Sequence, residues 1–144
     1  MSVRQISVFV ENRPGSLLAM TTVLGENGID MRAFSLAETS DFGIARFIVD
    51  DTDKTAVVLR EAGFVLSVTP VLGVAIPDVP GGLNQVLSVL RDAQVNVEYM
   101  YAFLGGKKSP GAYMIFRVAD DAAAAAALGA KGISLVAADE LHNL

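Results

Sequence analysis

The chain repeats itself over nearly its whole length, and this repeat constrains the fold more than any other feature. Around Pro14 and again around Pro80, a run rich in apolar residues leads into Pro-Gly and then into regularly spaced leucines. The matched positions, first copy then second, are Pro14-Gly15 and Pro80-Gly81, Leu17 and Leu83, Leu24 and Leu90, Phe47 and Phe116, and Gly63 and Gly132. Repeats of this kind indicate repeated structural units. We therefore predict that the 144 residues form two domains, residues 1–70 and 71–144.

Each copy is predicted to fold as strand, helix, strand, strand, helix, strand. In the first copy, the strand at residues 3–10 precedes a helix that Pro14 opens in its first turn, where a missing N–H costs nothing. Gly28 ends that helix, and Asp51 or Thr52 caps the second one. The remaining predicted elements of the first copy are strands at residues 29–36, 44–49 and 64–68 and a helix at 53–62. In the second copy, strands are predicted at 95–104, 112–118 and 133–137, and a helix capped by Asp120 or Asp121 at 122–128. A longer hairpin loop is predicted at 105–111 (GGKKSPG).

Four strands with two helices on one face are the arrangement of the ferredoxin-like plait. Both copies carry the same order of elements independently. The sequence therefore predicts an α+β fold made of two ferredoxin-like βαββαβ domains in tandem.

Composition excludes several classes of function. The chain has no cysteine and a single histidine, His142, so disulfides, a thiol nucleophile, a zinc ribbon, an iron–sulfur cluster and a multi-histidine metal site are excluded. The net charge of −5 and pI near 4.7 argue against a nucleic-acid partner, because such binding depends on neutralised phosphates. We predict no metal, no cofactor and no catalytic residues.

The chain is 52% hydrophobic, yet a membrane span is not expected. The longest nearly apolar run, residues 65–76, contains Pro70 and is much shorter than the ~20 residues that a spanning helix needs. The N-terminus has no signal-peptide pattern. We predict a cytoplasmic protein whose surplus apolar surface covers a subunit interface, in a homodimer.

Two further motifs have competing interpretations. Tyr99, Tyr101 and Phe103 alternate along one predicted strand; core or interface packing is favoured over base stacking, since the strand lacks a basic surround. The acidic run at residues 50–53 is interpreted as helix capping rather than a calcium loop, which would need a glycine turn and a distal glutamate.

The loop between the first strand and first helix of each copy is the candidate binding element. The first N–H groups of a helix have no intrahelical acceptor, and the helix dipole adds positive potential there. A ligand carboxylate at residues 15–17 or 81–83 would receive these hydrogen bonds, while Asn12 and Asp78 offer oxygens to an ammonium group. The alternative is that Pro-Gly makes only a tight turn, with Asn12 or Asp78 capping the helix.

The run ENRPGSLLAMTTVLGENGIDM at residues 11–31 resembles the ACT domain, an amino-acid-binding regulatory module of biosynthetic enzymes. The shared pattern is a strand, a polar-x-Pro-Gly-x-Leu loop, an amphipathic helix and then Gly-Ile/Val-Asn/Asp at the start of the second strand. Both copies fit it. The resemblance implies two ACT domains packed side by side into an antiparallel eight-stranded sheet, with helices on one face and ligands at the interface between the domains.

Similarity to serine-regulated 3-phosphoglycerate dehydrogenases implies which residues contact the ligand. There, an asparagine of this loop and an asparagine that opens the second strand of the neighbouring domain bind it; the family's loop histidine is replaced here by Val10. The candidate ligand-binding residues are Asn12, Arg13, Pro14, Gly15, Ser16, Leu17 and Asp30 in the first copy, and Asp78, Val79, Pro80, Gly81, Gly82, Leu83 and Asn96 in the second.

Crossing the copies predicts two unequal sites. One combines Asn12 with Asn96 and suits a neutral amino acid, while the other combines Asp78 with Asp30 and is doubly acidic. The resemblance implies a free-standing regulatory protein that senses a small amino acid and acts on a biosynthetic enzyme or a transcriptional regulator. A ligand-free dimerisation or scaffold module, and a small enzyme with a ferredoxin-like fold, stay open as alternatives.

Overall fold

The computed structural model describes residues 3–103 and 112–143, and within these ranges the chain forms seven strands and five helices. In chain order they are β1 (Val3–Glu11), α1 (Ser16–Glu26), β2 (Met31–Glu38), β3 (Phe42–Val49), α2 (Thr52–Glu61), β4 (Leu66–Ile76), α3 (Gly82–Asp92), β5 (Val97–Phe103), β6 (Ala112–Val118), α4 (Asp121–Ala130), β7 (Leu135–Val136) and α5 (Ala138–Asn143). The predicted loop at 105–111 and the predicted strand end at residue 104 lie outside the described residues.

Backbone contacts divide the chain into two compact units. The N-terminal unit is Arg4–Thr69. The C-terminal unit comprises the described residues of Pro70–Leu144 together with Val3. Strand β4 contributes its first residues to the N-terminal unit and the others to the C-terminal unit.

In the N-terminal unit, β3 lies between β1 and β2 and pairs antiparallel with both. Phe47 of β3 is opposite Ile6 of β1 on one side and Phe34 of β2 on the other. On the far side of β1, the Phe9 N–H donates to the Val65 carbonyl over 3.1 Å. The strand order in this unit is therefore β4-β1-β3-β2.

The C-terminal unit repeats this order with its own strands. Strand β6 lies between β4 and β5, with Phe116 opposite Leu72 and Met100. Strand β7 pairs with the other side of β4, where Leu135 is opposite Val74. The order β7-β4-β6-β5 matches the N-terminal unit strand for strand, which confirms the predicted antiparallel α+β arrangement of each copy.

Both long helices of each unit cover the same face of its sheet. In the N-terminal unit, Met20 and Leu24 of α1 and Leu59 of α2 are buried against β1 and β3 residues that include Val8 and Phe47. The corresponding core of the C-terminal unit contains Val86, Leu90, Ala124 and Leu128 from the helices and Leu72, Val74 and Phe116 from the strands. Burying each large side chain contributes about 1.5–3 kcal/mol, so these helix faces hold each unit together.

Helices α1 and α3 end in the left-handed conformation at equivalent positions. Gly28 follows α1 with a φ of 65°, as predicted, whereas Gln94 follows α3 with a φ of 57°. In each case the next N–H donates back into the helix, from Ile29 to the Leu24 carbonyl over 3.0 Å and from Val95 to the Leu90 carbonyl over 2.9 Å. Left-handed backbone favours glycine, so the second copy carries a less suitable residue for the same turn.

The prediction of eight strands is wrong for the described residues, which form seven. The predicted strand at 64–68 and the first strand of the second copy are one continuous strand, β4 (Leu66–Ile76). Pro70 lies inside it but precedes Leu72, where the described pairing with β6 begins. Its missing N–H therefore removes no hydrogen bond from that ladder, and the proline does not end the strand.

The end of the chain also differs from the prediction. The strand expected at 133–137 is limited to β7 (Leu135–Val136), and the short helix α5 (Ala138–Asn143) follows it. Leu141 of α5 is fully buried. Its side chain packs over Gly73 of β4, since a Cβ added to this glycine would lie 3.5 Å from Leu141. The helix α5 therefore folds back onto β4.

The acidic run after β3 caps a helix, as favoured from the sequence. Asp51 is the N-cap of α2 and its side chain accepts from the Lys54 N–H over 3.0 Å. Its neighbours are also engaged: Asp50 accepts from the Asp30 N–H over 3.1 Å, and Asp53 pairs with Arg4 over 2.9 Å.

Two residues of the aromatic row on β5 are buried. Tyr101 and Phe103 are 8% and 7% exposed, and Phe103 meets the Tyr113 ring edge-on with 5.9 Å between ring centroids. This confirms packing for these two residues. In the part of the chain that the structure describes, no helix is long and apolar enough to cross a membrane.

Candidate functional site

The loops that lead into α1 and α3 have the same backbone geometry. Gly15 and Gly81, the N-caps, have φ values of 86° and 83° with ψ near zero, the conformation of the third residue in a type II turn, with proline preferred before it. The closing hydrogen bonds run from Ser16 N–H to the Arg13 carbonyl over 3.2 Å and from Gly82 N–H to the Val79 carbonyl over 3.0 Å. Pro14 therefore belongs to this turn, and the prediction that it lies in the first turn of the helix is wrong.

The four long helices begin in two different ways. Asp51 caps α2, and Asp120 caps α4 by accepting from the Ala123 N–H over 3.0 Å. For α1 and α3, by contrast, no side chain among the described residues caps the first turn. Asn12 and Asp78 thus do not act as helix caps. Of the alternative for these loops, the tight Pro-Gly turn is present and the capping is wrong. Ser16 and Gly82 N–H close the two turns, and the following first-turn N–H groups, of Leu17 and Leu18 in α1 and of Leu83 and Asn84 in α3, are left as donors for solvent or a ligand.

Asn12 is fixed by the hairpin between β2 and β3. Its Nδ2 donates to the Thr39 carbonyl over 3.1 Å and to the Glu38 carboxylate over 3.3 Å. Its backbone N–H donates to the Asp41 carbonyl over 3.0 Å. Among the described residues, Nδ2 is the donor in the hydrogen bonds of this side chain. The oxygen Oδ1 is therefore the atom that could accept a hydrogen bond from a ligand ammonium group.

The second loop has the same hydrogen bonds but a tighter backbone. Val79 N–H donates to the Pro77 carbonyl over 2.9 Å, as Arg13 N–H does to Glu11 over 3.0 Å in the first loop. A Cβ on Gly82 would overlap that Pro77 carbonyl oxygen. The first copy has Ser16 at the position of Gly82, so only the first loop carries a hydroxyl there.

The predicted second-strand contacts lie away from the loops of their own unit. Strands β1 and β2 run in the same direction because both are antiparallel to β3. Asn12 follows the end of β1, while Asp30 precedes the start of β2. The two residues therefore lie at opposite ends of the sheet, separated by the length of the eight-residue strand β2, which is roughly 25 Å. Asp78 and Asn96 are separated in the same way in the C-terminal unit.

Two arginines of the first copy pair with carboxylates two residues away in sequence. Arg13 in the loop pairs with Glu11 over 2.7 Å, and Arg32 of β2 pairs with Asp30 over 3.2 Å. The Arg13–Glu11 pair is exposed, and such pairs contribute little to stability. The carboxylate of Asp30, predicted to contact the ligand, thus lies beside the guanidinium of Arg32.

Two cavities flank the first loop. One, of about 300 Å³, lies on the side of the hairpin and is lined by Val10, Glu11, Asn12, Arg13, Leu17, Leu36, Glu38 and Gly43. The other, of about 370 Å³, lies on the side of β4 and is lined by Phe9, Val10, Glu11, Arg13, Ser16, Ala19, Phe42, Gly63, Phe64 and Val65. Both are within the size range of small-molecule sites, and four of the predicted residues, Asn12, Arg13, Ser16 and Leu17, line them.

The C-terminal unit has one matching cavity, of about 390 Å³. Its lining residues are Ala75, Ile76, Pro77, Gln85, Val86, Lys131, Gly132, Ile133 and Ser134, which are largely the repeat equivalents of those on the β4 side of the first loop. None of the predicted loop residues 78–83 lines it.

Sequence reasoning missed the apolar residues beside the first loop. Phe9, Phe42 and Val65 are 50%, 54% and 67% exposed, and all three line the cavity on the β4 side. The sequence carried no clear signal for Phe9, because its row of β1 also contains Val3, and Gln5 and Ser7 of the same row are buried.

The described residues contain no group of three or more histidine, aspartate and glutamate side chains that could hold a metal ion.

The chain resembles known proteins over its full length. A family profile described as an ACT domain pair matches residues 1–144. The crystal structure of protein BT0572 from Bacteroides thetaiotaomicron is 37% identical, with a TM-score of 0.92 over 100% of this chain and 98% of that one. A comparison with curated protein sequences gives no match.

More distant structures share the fold. The ligand-free regulatory subunit of aspartate kinase from Thermus thermophilus is 18% identical, with a TM-score of 0.66 over 90% of each chain. The corresponding subunit from Thermus flavus is 16% identical, with a TM-score of 0.63 over 88% of this chain and 90% of that one. The family is shown by the match over residues 1–144, together with the 37% identity to a structure of which this chain covers 98%. The chain belongs to the ACT domain pair family, a family of regulatory modules.

Proposed function

We propose that this chain is a regulatory protein that binds a small amino acid at the interface between its two ACT domains, residues 1–70 and 71–144. The carboxylate would lie at the first-turn N–H groups of α1 or α3, and the ammonium group at Asn12 or Asp78. Membership of a family of amino-acid-responsive modules supports this class of ligand.

The observation that carries the proposal is the contrast between the two kinds of helix start. Aspartates cap α2 and α4, whereas α1 and α3 begin at a Pro-Gly turn with no side-chain cap among the described residues. The arrangement recurs in both copies although their loop side chains differ. Uncapped N–H groups reached through a glycine are suited to a ligand carboxylate.

The proposed sites combine a loop from one copy with the second-strand entry of the other. In the first, Asn12 and the residues 13–17 act with Asn96; in the second, Asp78 and the residues 79–83 act with Asp30. The first is neutral and suits an uncharged amino acid. The second contains the Asp30–Arg32 pair and the additional carboxylate of Asp78, so the two sites have unequal affinities.

A ligand that binds between two domains stabilises the relative arrangement of the domains for which it has the higher affinity. The population of that arrangement rises by an amount set by the difference in affinity. We propose that a partner enzyme or transcriptional regulator responds to this shift. The similarity to regulatory subunits of aspartate kinase favours a biosynthetic enzyme as the first partner class to test. The chain would act as a homodimer.

The proposal is tested by a thermal-shift screen of the purified protein against the twenty amino acids, followed by calorimetric titration of each hit. A ligand at a hundred times its Kd stabilises the protein by about 2.7 kcal/mol, which raises the Tm by several degrees in a chain of this size. One or a few related amino acids are expected to produce this shift. No shift with any of them would contradict the proposal and favour a ligand-free dimerisation module.

A further inference from the structure

The N-terminal unit has an open apolar cavity on the face of its sheet that the helices do not cover. Phe9 lies opposite Ile44 in the β1–β3 pairing, and its neighbours Val8 and Val10 point to the helix-covered core. The cavity measures about 450 Å³ and is lined by Phe9, Thr39, Phe42, Ile44 and Val65. Such a concentration of exposed apolar side chains indicates a binding surface.

The second copy lacks two of the large apolar side chains that form this surface. The positions of Phe9 and Val65 are occupied by Ala75 and Ser134. The backbone is nevertheless the same, since Ala75 N–H donates to the Ser134 carbonyl over 3.0 Å as Phe9 N–H does to Val65 over 3.1 Å. The large apolar side chains are therefore not required to build this corner of the fold.

The apolar cavity is continuous with the cavity on the β4 side of the first loop. Phe9, Phe42 and Val65 line both. The loop cavity also contains polar groups of the proposed ligand site, Arg13 and Ser16. A path thus leads from polar loop residues, past Val10 and Phe64, to an open apolar patch within one unit.

We propose that the ligand of the first loop is an amino acid with a bulky apolar side chain, branched aliphatic or aromatic, which lies against Phe9, Phe42 and Val65. This inference rests on the proposed function for the position of the carboxylate and ammonium groups, and it adds the class of side chain. The second loop lacks the apolar wall, so it does not select such a ligand.

The proposal predicts how affinity changes along a series of ligands. Each methylene that moves from water into the cavity strengthens binding about fourfold. Calorimetric titration of glycine, alanine, valine, leucine and phenylalanine should therefore give Kd values that fall steadily with side-chain size. Serine and aspartate should bind no more tightly than alanine.

The variant Phe9→Ala/Val65→Ser gives the first copy the residues of the second. Because both side chains are exposed, the Tm without ligand should stay near that of the unchanged protein. Leucine and phenylalanine should bind about 10- to 100-fold more weakly, while alanine binding should change less than twofold. The control is Leu18→Ala, which removes a different exposed apolar side chain. Leu18 lies on α1, is 68% exposed and does not line these cavities, so this change should leave every affinity unchanged.

The outcomes separate this inference from the function on which it rests. If alanine or serine binds as tightly as leucine, the side-chain class is wrong while amino-acid binding stands. If no amino acid binds, both proposals fail. If the double variant converts a dimer to a monomer in light scattering and apolar ligands bind it as tightly as before, the patch is a subunit contact and the inference is overturned.

Discussion

The two units carry the same backbone and different side chains. Their loops share a type II turn, a glycine N-cap and equivalent hydrogen bonds. Around that frame the first copy has Asn12 and Ser16, where the second has Asp78 and Gly82. Its strand corner has Phe9 and Val65, where the second has Ala75 and Ser134.

This difference teaches which residues make the fold and which are free to make a site. What both copies keep is the turn glycine, the apolar helix positions and the aspartate cap of the second helix, and these are the elements that the backbone requires. In the first copy, the residues that differ, Asn12, Ser16, Phe9 and Val65, all line cavities beside the loop. The N-terminal unit holds six of the seven large apolar residues that are exposed in the described chain: Phe9, Leu18, Leu36, Phe42, Val57 and Val65, with Val79 in the C-terminal unit.

The largest expected effect comes from exchanging the residue after the N-cap glycine. Gly82→Ala places a Cβ against the Pro77 carbonyl and should lower the free energy of unfolding by about 1–3 kcal/mol. Ser16→Ala in the matching position should change it by less than about 0.5 kcal/mol. Urea unfolding followed by circular dichroism measures both. Equal effects would mean that the two loops are not constrained differently.

Helix capping distinguishes α2 and α4 from α1 and α3. Asp51→Ala and Asp120→Ala remove the side chains that accept from Lys54 and Ala123, and each should cost about 1 kcal/mol of stability. Asp78→Ala, which removes no cap, should cost less than half of that in the same unfolding experiment. A comparable loss from Asp78→Ala would assign a capping role to the second loop.

The smallest effect concerns the ends of α1 and α3. Gln94→Gly supplies the residue that suits a φ of 57° and should raise the free energy of unfolding by about 0.5–1 kcal/mol. The reciprocal Gly28→Gln should lower it by about 1 kcal/mol. Thermal unfolding of the pair checks the signs, and a destabilised Gln94→Gly protein would contradict this explanation.

Local signals explain why much of each unit was predictable from sequence. The Pro-Gly turns, the caps at Asp51 and Asp120 and the stop at Gly28 act within a few residues of their position. The repeat provided an independent check on the turns and the caps, whereas the second copy has Gln94 at the position of Gly28. The same local reasoning placed Pro14 inside α1, because it did not recognise that Pro-Gly forms a complete turn before the helix.

Features that depend on distant packing were not predictable in this way. Pro70 inside β4 is tolerated because the described ladder with β6 begins at Leu72, and a sequence does not reveal where pairing begins. The short helix α5 is held by the buried Leu141 rather than by its own helical propensity. Phe9 was assigned to a strand, but both rows of β1 contain apolar residues, so its exposure required the fold.

We propose above all that the Pro-Gly loops bind an amino acid and that the two loops do so unequally. The most direct test is calorimetric titration of the best ligand from the screen into the unchanged protein and into Asn12→Ala and Asp78→Ala, with the Tm of each variant as the control for folding. For a neutral ligand we expect Asn12→Ala to weaken binding about 10-fold or more and Asp78→Ala to weaken it much less. Equal losses in the two variants, or no loss in either, would contradict the account.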